Sequence, residues 1–444
     1  MEQPIPAASE LEADLIKDLL RSSWIIESAR AAVYREWTPA DETFEASRRR
    51  AEDRASLLEA ALGERGKQPD AELVEPHAVW IRSLVGTPGE VALGNLFLAR
   101  LGDWVDGHTA GFMPDGGAAL RALGDEERGS LSWPSEFPAP PPFEPLPPPQ
   151  GEPPGDVELR IAVLGDLHIG STRAELMARA AIADINAAGV DLVVQLGDIT
   201  DHGQIEEFHN AADVLGDLDA ELVTMIGNHD VYSVSETKLM GRDYYPSVFG
   251  RAPDGVLLER KGFHIAVLDS AEHLASPFAP FDLASGAFLE GPGGAIVRGA
   301  LTPPQHEILA EVAGPDAPPA FVFLHHPPQP FAGFPPILFG LREADAGRLH
   351  AVIDSGNVWG VFAGHTHRNA RTRDYGKIPA QEVGIPRDFP FGFAILDIAR
   401  QGYTYRFLQI SDLELLRDAY GTAGDIHRRY GLGPADTRSF SFVA

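Results

Sequence analysis

Val157-Glu158-Leu159-Arg160-Ile161-Ala162-Val163-Leu164-Gly165-Asp166-Leu167-His168 begins as an apolar strand over 157–164 and ends in two side chains that can hold a metal or move a proton. Thr172 and Glu175 follow in capping-box spacing, which predicts a helix to about Ala188, and 191–196 is a second apolar strand. A helix over 204–218 and a strand over 221–226 repeat the unit. Such alternation gives a largely parallel sheet with helices outside it.

Downstream, 256–258 and 264–268 read as a hairpin, and a Pro/Gly-rich stretch over 271–294 as an inserted loop above one face. Thr302-Pro303-Pro304-Gln305 opens a helix, followed by a strand over 320–324, a helix over 343–355 and a strand over 358–362. Residues 381–410 add antiparallel candidates, and Ser411-Asp412-Leu413-Glu414 caps a final helix.

Upstream, residues 1–133 read as helical. Leu15, Ile16, Leu19, Leu20, Ile25, Ile26 and Val33 recur at helical spacing, Thr38-Pro39-Ala40-Asp41 resembles a helix start, and Leu57, Leu58 and Leu62 line the next helix. Further apolar segments at 79–84 and 91–105 suggest a bundle of about four helices. Glu27, Glu36, Glu52, Glu59, Asp103, Asp106, His77 and His108 raise the idea of a carboxylate di-metal bundle, but the required Glu-x-x-His pairs are absent, so they read as solvated faces and caps. Arg48-Arg49-Arg50 reads as surface flanked by acids. Residues 134–156, rich in proline, form an extended linker between this bundle and a domain over 157–444.

Composition narrows the chemistry. A chain of 444 residues suggests two or three domains. It has no cysteine, which excludes disulfides, thiolate metal sites and cysteine nucleophiles. A formal net charge of −29 disfavours DNA, RNA and anionic lipid as partners, although phosphate substrates fit if bound cations reverse the local field. No run of apolar residues is long enough to cross a membrane and no secretory signal opens the chain, so a cytoplasmic protein is expected.

The polar residues then fall in a pattern. Asp166 and His168 follow the first strand, Asp198 and Asp201 the second, Asn228 and His229 the third, and His325 with His326 and His365 with His367 two later strands. The carboxyl ends of strands in such a sheet line its ligand crevice, so five segments converge. Two divalent ions need about four protein ligands each plus water, and carboxylate, imidazole and amide groups suit them. A shared carboxylate holds such a pair roughly 3.5 Å apart, as in-line attack on phosphorus requires.

Asp166-Leu167-His168, Gly197-Asp198-Ile199-Thr200-Asp201, Gly227-Asn228-His229-Asp230, His325-His326-Pro327 and Gly364-His365-Thr366-His367 resemble, in order, the five blocks of the calcineurin-like metallophosphoesterases over 157–410. The resemblance implies an α/β fold of two facing mixed β-sheets flanked by helices, here preceded by an α-helical bundle domain. It implies that Asp166, His168, Asp198 and His367 hold one divalent ion, that Asp198 bridges, and that Asn228, His325 and His365 complete the second, the ions being Mn, Fe, Zn or Co. A hydroxide between the ions would attack phosphorus, with His229 handling protons or stabilising charge. Asp201 and Asp230 would orient ligands, while His326, His202 and His209 would be support or surface. The Gly-Asn-His-Asp, His-His-Pro-Pro and Gly-His-Thr-His-Arg blocks are most similar to bacterial cyclic-nucleotide and glycerophosphodiester phosphodiesterases, so a small phosphodiester is the expected substrate. A phosphomonoesterase is the close alternative; a nuclease, or a metal-binding scaffold without catalysis, is less favoured.

Overall fold

The computed structural model describes residues 8–37, 42–66, 71, 74–75, 78, 113, 116–130, 142–231, 241–271, 299–314, 316–328, 340–355, 357–372, 378–422, 428, 431–433 and 435–444. They divide into two compact units, the first containing the described residues before Pro140 and the second the remainder.

In the first unit α1 (Ala8–Trp37) packs along α2 (Glu42–Glu64), with α3 (Gly117–Ser130) beside α2. The predicted periodicity is realised, because Leu20, Ile25, Ile26 and Val33 of α1 and Leu58 and Leu62 of α2 are buried. Two expectations fail. Glu27 is buried rather than solvated, which the Arg30 guanidinium 2.6 Å away permits. Arg50 is buried as well and Arg48 is half-buried against Glu45 and Glu52, whereas Arg49 remains exposed on Glu45. The expected cap at Thr38-Pro39-Ala40-Asp41 and the segments 79–84 and 91–105, with His77, His108, Asp103 and Asp106, lie outside the described residues.

The second unit is built on two six-stranded mixed sheets. The first contains β1 (Leu159–Leu164), β2 (Leu192–Gln195), β3 (Glu221–Thr224), β10 (Gly392–Ala399), β11 (Gly402–Gln409) and β12 (Ser439–Val443), in the order β12-β11-β10-β1-β2-β3. β1, β2 and β3 run parallel, with Val163 opposite Val194 and Val194 opposite Val223. The second contains β4 (Val256–Arg260), β5 (Phe263–Leu268), β6 (Ala320–Leu324), β7 (Val358–Ala363), β8 (Ala370–Thr372) and β9 (Ala380–Glu382), in the order β4-β5-β6-β7-β9-β8. Here β5, β6, β7 and β9 are parallel, and β4 pairs antiparallel with β5 as the expected hairpin.

Period-two alternation explains how β6 serves two layers. Phe321 and Phe323 enter the core between the sheets with Ile161, Val163, Phe362 and Tyr403, while Ala320, Val322 and Leu324 pack with Leu309 and Val312 of α7 (Pro303–Val312) and Leu349 and Ile353 of α8 (Glu343–Ser355). A strand buried on both faces reads as an unbroken apolar run, which is how it stands in the sequence. α4 (Ala174–Ala188), α5 (Ile205–Leu215), α6 (Gly241–Phe249) and α9 (Leu413–Thr422) complete the unit.

Helix starts depart from expectation. Thr172 does not cap α4: Arg173 occupies that place with φ 66°, and no side chain caps the helix. The capping box instead opens α5, between Gln204 and Glu207. At α9 the cap is Asp412, which accepts the Leu415 N–H at 3.0 Å, while the Ser411 hydroxyl is spent on Asp184. Nor does α9 end the fold, since β12 follows and pairs with β11. Residues 142–156 form neither helix nor strand; the Leu146 N–H donates to Gln409 Oε1 at 2.9 Å and the Thr404 hydroxyl to the Glu152 carbonyl at 2.9 Å. The stretch 271–294 lies outside the described residues except for Ala271.

Candidate metal centre

The carboxyl ends of β1, β2, β3, β6 and β7 deliver Asp166 and His168, Asp198, Asn228 and His229, His325, and His365 and His367 to one place. Tight turns make the approach. His168, Asp198, His365 and His367 have φ of 50°, 46°, 69° and 55°, in the left-handed region where a non-glycine residue costs about 1 kcal/mol or more. Glycines admit the crowding: a Cβ on Gly227 would stand 2.2 Å from Asp198 Oδ1, and one on Gly364 2.3 Å from Asp166 Oδ1.

Among the described residues donor atoms gather in three groups, one of them His168, Asp201 and His229. Asp166, His168, Asp198 and His367 form the first, with ligand atoms all within 4.8 Å of one another. In another, which takes in His326 as well, His325 Nε2 lies 3.0 Å from Asn228 Oδ1, and the His325 and His365 rings are 5.0 Å apart. Asp198 joins them, because its Oδ2 is 3.7 Å from His168 Nε2 and 3.4 Å from His325 Nε2.

Hydrogen bonds fix how the rings face. His168 Nδ1 is 3.0 Å from Asp201 Oδ1, and His367 Nδ1 is 2.9 Å from Asp388 Oδ2. A carboxylate can only accept, so both Nδ1 atoms carry hydrogen and both Nε2 atoms present lone pairs when neutral. Those two Nε2 atoms are 2.9 Å apart. His325 repeats the arrangement: Nδ1 donates to the Leu196 carbonyl at 2.8 Å, leaving Nε2 to face the Asn228 and Asp198 oxygens. When these rings are neutral, lone pairs face lone pairs, an arrangement that a cation satisfies, and a donor set of carboxylate, imidazole and amide fits hard or borderline divalent ions.

With no ion bound, protons take its place on two of these rings. Burial opposes protonation of His325, yet the Asp198 charge and hydrogen bond, with Asp166 behind them, raise it to about 9. His367 is likewise raised to about 9, burial being outweighed by Asp166 and Asp388. Burial and the neighbouring His229 push His168 down to about 4, and burial beside His325 pushes His365 well below its usual range. Burial would raise the Asp198 carboxyl, but His325 and His229 hold it well below the usual carboxylate value.

His229 is half-buried beside this centre, its ring centroid 4.5 Å from that of His168. Its Nδ1 donates to the Asp201 carbonyl at 2.8 Å, so Nε2 is the nitrogen that can exchange protons. Asp201 stands behind His168, and Asp230 accepts the N–H groups of Ile199, Thr200 and Gly227 and the Thr200 hydroxyl, tying the turn after β2 to that after β3. Burial and the Asp198 charge raise Asp230 to about 7.

His326 is buried, in the supporting rather than the surface place: Ser270, just after β5, joins its Nδ1 at 2.9 Å. His202 is held by Glu207 at 3.1 Å at the rim, and His209 is exposed. Sequence reasoning missed Ser270, Glu382, Arg387 and Asp388. Glu382 binds Thr366 and Arg368 beside His367, and Arg387 meets Asp388 at 2.9 Å. The available signal was an Arg-Asp pair inside the otherwise apolar Val383-Gly384-Ile385-Pro386-Arg387-Asp388-Phe389-Pro390-Phe391.

Residues 159–369 match the calcineurin-like phosphoesterase family. A 208-residue stretch, 45% of this chain, is 26% identical to a probable cyclic nucleotide phosphodiesterase of Rhodococcus erythropolis, covering 60% of that protein. Over 77 residues, 17% of each chain, it is 34% identical to a transmembrane protein with metallophosphoesterase domain of Danio rerio. The chain thus spans less than two thirds of the length of either relative. Among solved structures it is similar to a dimetal phosphatase from Danio rerio, with TM-score 0.44 and 17% identity over 57% of this chain and 96% of that one. Among the described residues no helix is long and apolar enough to cross a membrane. With its two mixed sheets and the five blocks in place, the chain carries a domain of the calcineurin-like phosphoesterase family.

Proposed function

We propose that this chain is a dinuclear metal-dependent phosphoester hydrolase acting on small phosphodiesters. The observation that carries the proposal is the convergence of imidazole nitrogens, carboxylate oxygens and the Asn228 amide oxygen in two adjoining groups that share Asp198. Asp166, His168, Asp198 and His367 would hold one ion, and Asp198, Asn228, His325 and His365 the other, with Mn, Fe, Zn and Co as candidates. Such ions, when bound, supply an activated water and positive charge against the phosphoryl oxygens.

The protein's own groups do the rest. Asp201 and the Leu196 carbonyl fix the His168 and His325 tautomers. His229 stands beside the centre on a turn anchored at both ends, by its N–H on Asp198 and its ring on the Asp201 carbonyl. As water oxygen joins phosphorus and the bond to the leaving group breaks, the departing oxygen takes the proton from His229 Nε2. The Rhodococcus relative, described as a probable cyclic nucleotide phosphodiesterase, supports a diester over a monoester.

The test is turnover of bis(p-nitrophenyl) phosphate and p-nitrophenyl phosphate by purified protein loaded with Mn²⁺. A higher kcat/KM on the diester is expected. A preference for the monoester would overturn the substrate class, and no turnover of either by protein holding two ions would overturn the enzyme.

A further inference from the structure

We propose that Arg387 is a positioning residue that ties together the two carboxylates backing one of the two ion positions and so sets the affinity of that position alone. The inference rests on the dinuclear reading above.

Arg387 lies in the irregular segment between β9 and β10 and is half-buried, its side chain 22% exposed. Its Nη2 donates to Asp388 Oδ2 at 2.9 Å, and that same oxygen receives the Nδ1–H of His367 at 2.9 Å. Its Nη1 lies 3.5 Å from Asp201 Oδ1, which receives the Nδ1–H of His168 at 3.0 Å. Nη1 also donates to the Ser171 hydroxyl at 3.1 Å, which fixes the plane of the guanidinium. The path His168, Asp201, Arg387, Asp388, His367 therefore returns to its start, since the two Nε2 atoms at its ends are 2.9 Å apart.

Three physical consequences follow from this closure. A carboxylate behind a ligating imidazole orients the ring and raises its basicity, so Asp201 and Asp388 govern how well two imidazoles hold one ion. Two carboxylates flanking one point repel each other, and the planar fork of Arg387 holds both where a lysine's single ammonium would not. Without it, Asp201 and Asp388 would swing apart and carry His168 and His367 with them. Arg387 meets only the carboxylates behind His168 and His367, whereas His325 of the second position is backed by the neutral Leu196 carbonyl. Arg387 therefore acts on one ion and leaves the other.

Calorimetric titration of the metal-free full chain with Mn²⁺ tests this, comparing the natural protein with Arg387→Met, Arg387→Lys and Asp388→Asn. The natural protein is expected to show two binding steps. Each variant should weaken one step by about 10- to 100-fold and leave the other within about twofold, with the lysine variant giving only partial rescue. Thermal unfolding of the metal-free proteins should agree to within a few degrees, separating positioning from a general structural role. Two unchanged steps, or two steps weakened alike, overturn the role of Arg387. Fewer than two steps in the natural protein overturn the dinuclear reading instead. If the methionine variant does not fold, the other two carry the comparison.

Discussion

The backbone N–H of His229 donates to Oδ1 of Asp198 at 2.8 Å, while Oδ2 of that carboxylate faces both groups of imidazole nitrogens. One side chain thus joins the two ion positions to each other and to the proposed proton donor.

Asp198→Ala should therefore lose both ions together, whereas His325→Ala should empty chiefly one. Elemental analysis of the purified variants reads this directly. Chelation should abolish turnover in the natural protein, and retention of full activity after complete metal removal would contradict the proposed chemistry.

For His229, replacement by Gln or Ala should lower kcat by about 10²- to 10⁴-fold while metal content holds nearly constant. The loss should shrink when the leaving group is nitrophenolate, which departs without a proton, and grow for alkyl leaving groups. Equal losses for both, or a missing ion, would make His229 a ligand or a phosphate-positioning group.

Gly227→Ala tests the crowding behind the centre. Its added methyl would stand 2.4 Å from the Asp198 backbone nitrogen and 2.7 Å from His325 Cε1, so the turn must shift. A destabilisation of about 1–3 kcal/mol is expected, along with weakened binding of metal. Chemical denaturation and Mn²⁺ titration of the variant measure the two effects.

Asp345 offers a pH-dependent test remote from the centre. Burial favours its neutral form, but His306 and Arg342 and the Leu301 N–H hold its carboxyl below the usual range. A folded pKa below the unfolded value of 3.8 contributes stability that is present above pH 3.8 and lost as pH falls through the folded value. Asp345→Asn should consequently destabilise the protein at neutral pH and flatten its acid unfolding curve. An acid branch as steep as that of the natural protein would rule out this contribution.

The succession of strands and helices and the five converging blocks were legible in the sequence because β1, β2, β6 and β7 are almost wholly buried, so each is a largely apolar run ending abruptly in Asp or His. Local capping was less legible: Thr172 has the right neighbours, yet the chain after His168 turns through Ser171 and enters α4 with Arg173 left-handed. Arg387 and Asp388 were missed because their partners are set by sheet packing. Asp201 and His168 precede Arg387 by about 190 and 220 residues in the chain, and no periodicity spans such a distance. Glu27 and Arg50 misled for a related reason, since burial of a paired charge leaves the helical pattern unchanged.

Asp166, His168, Asp198 and Asn228 hang from the first sheet, while His325, His365 and His367 hang from the second. Each proposed ion would thus act as a rivet driven through both plates at the open end of the sandwich. Resistance to unfolding should then climb with free metal, gaining about 1.4 kcal/mol for each tenfold excess over the dissociation constant of a site. The same rivets that ready the protein for its substrate would keep its mouth shut against proteases, so a cell short of metal would lose the protein along with its activity.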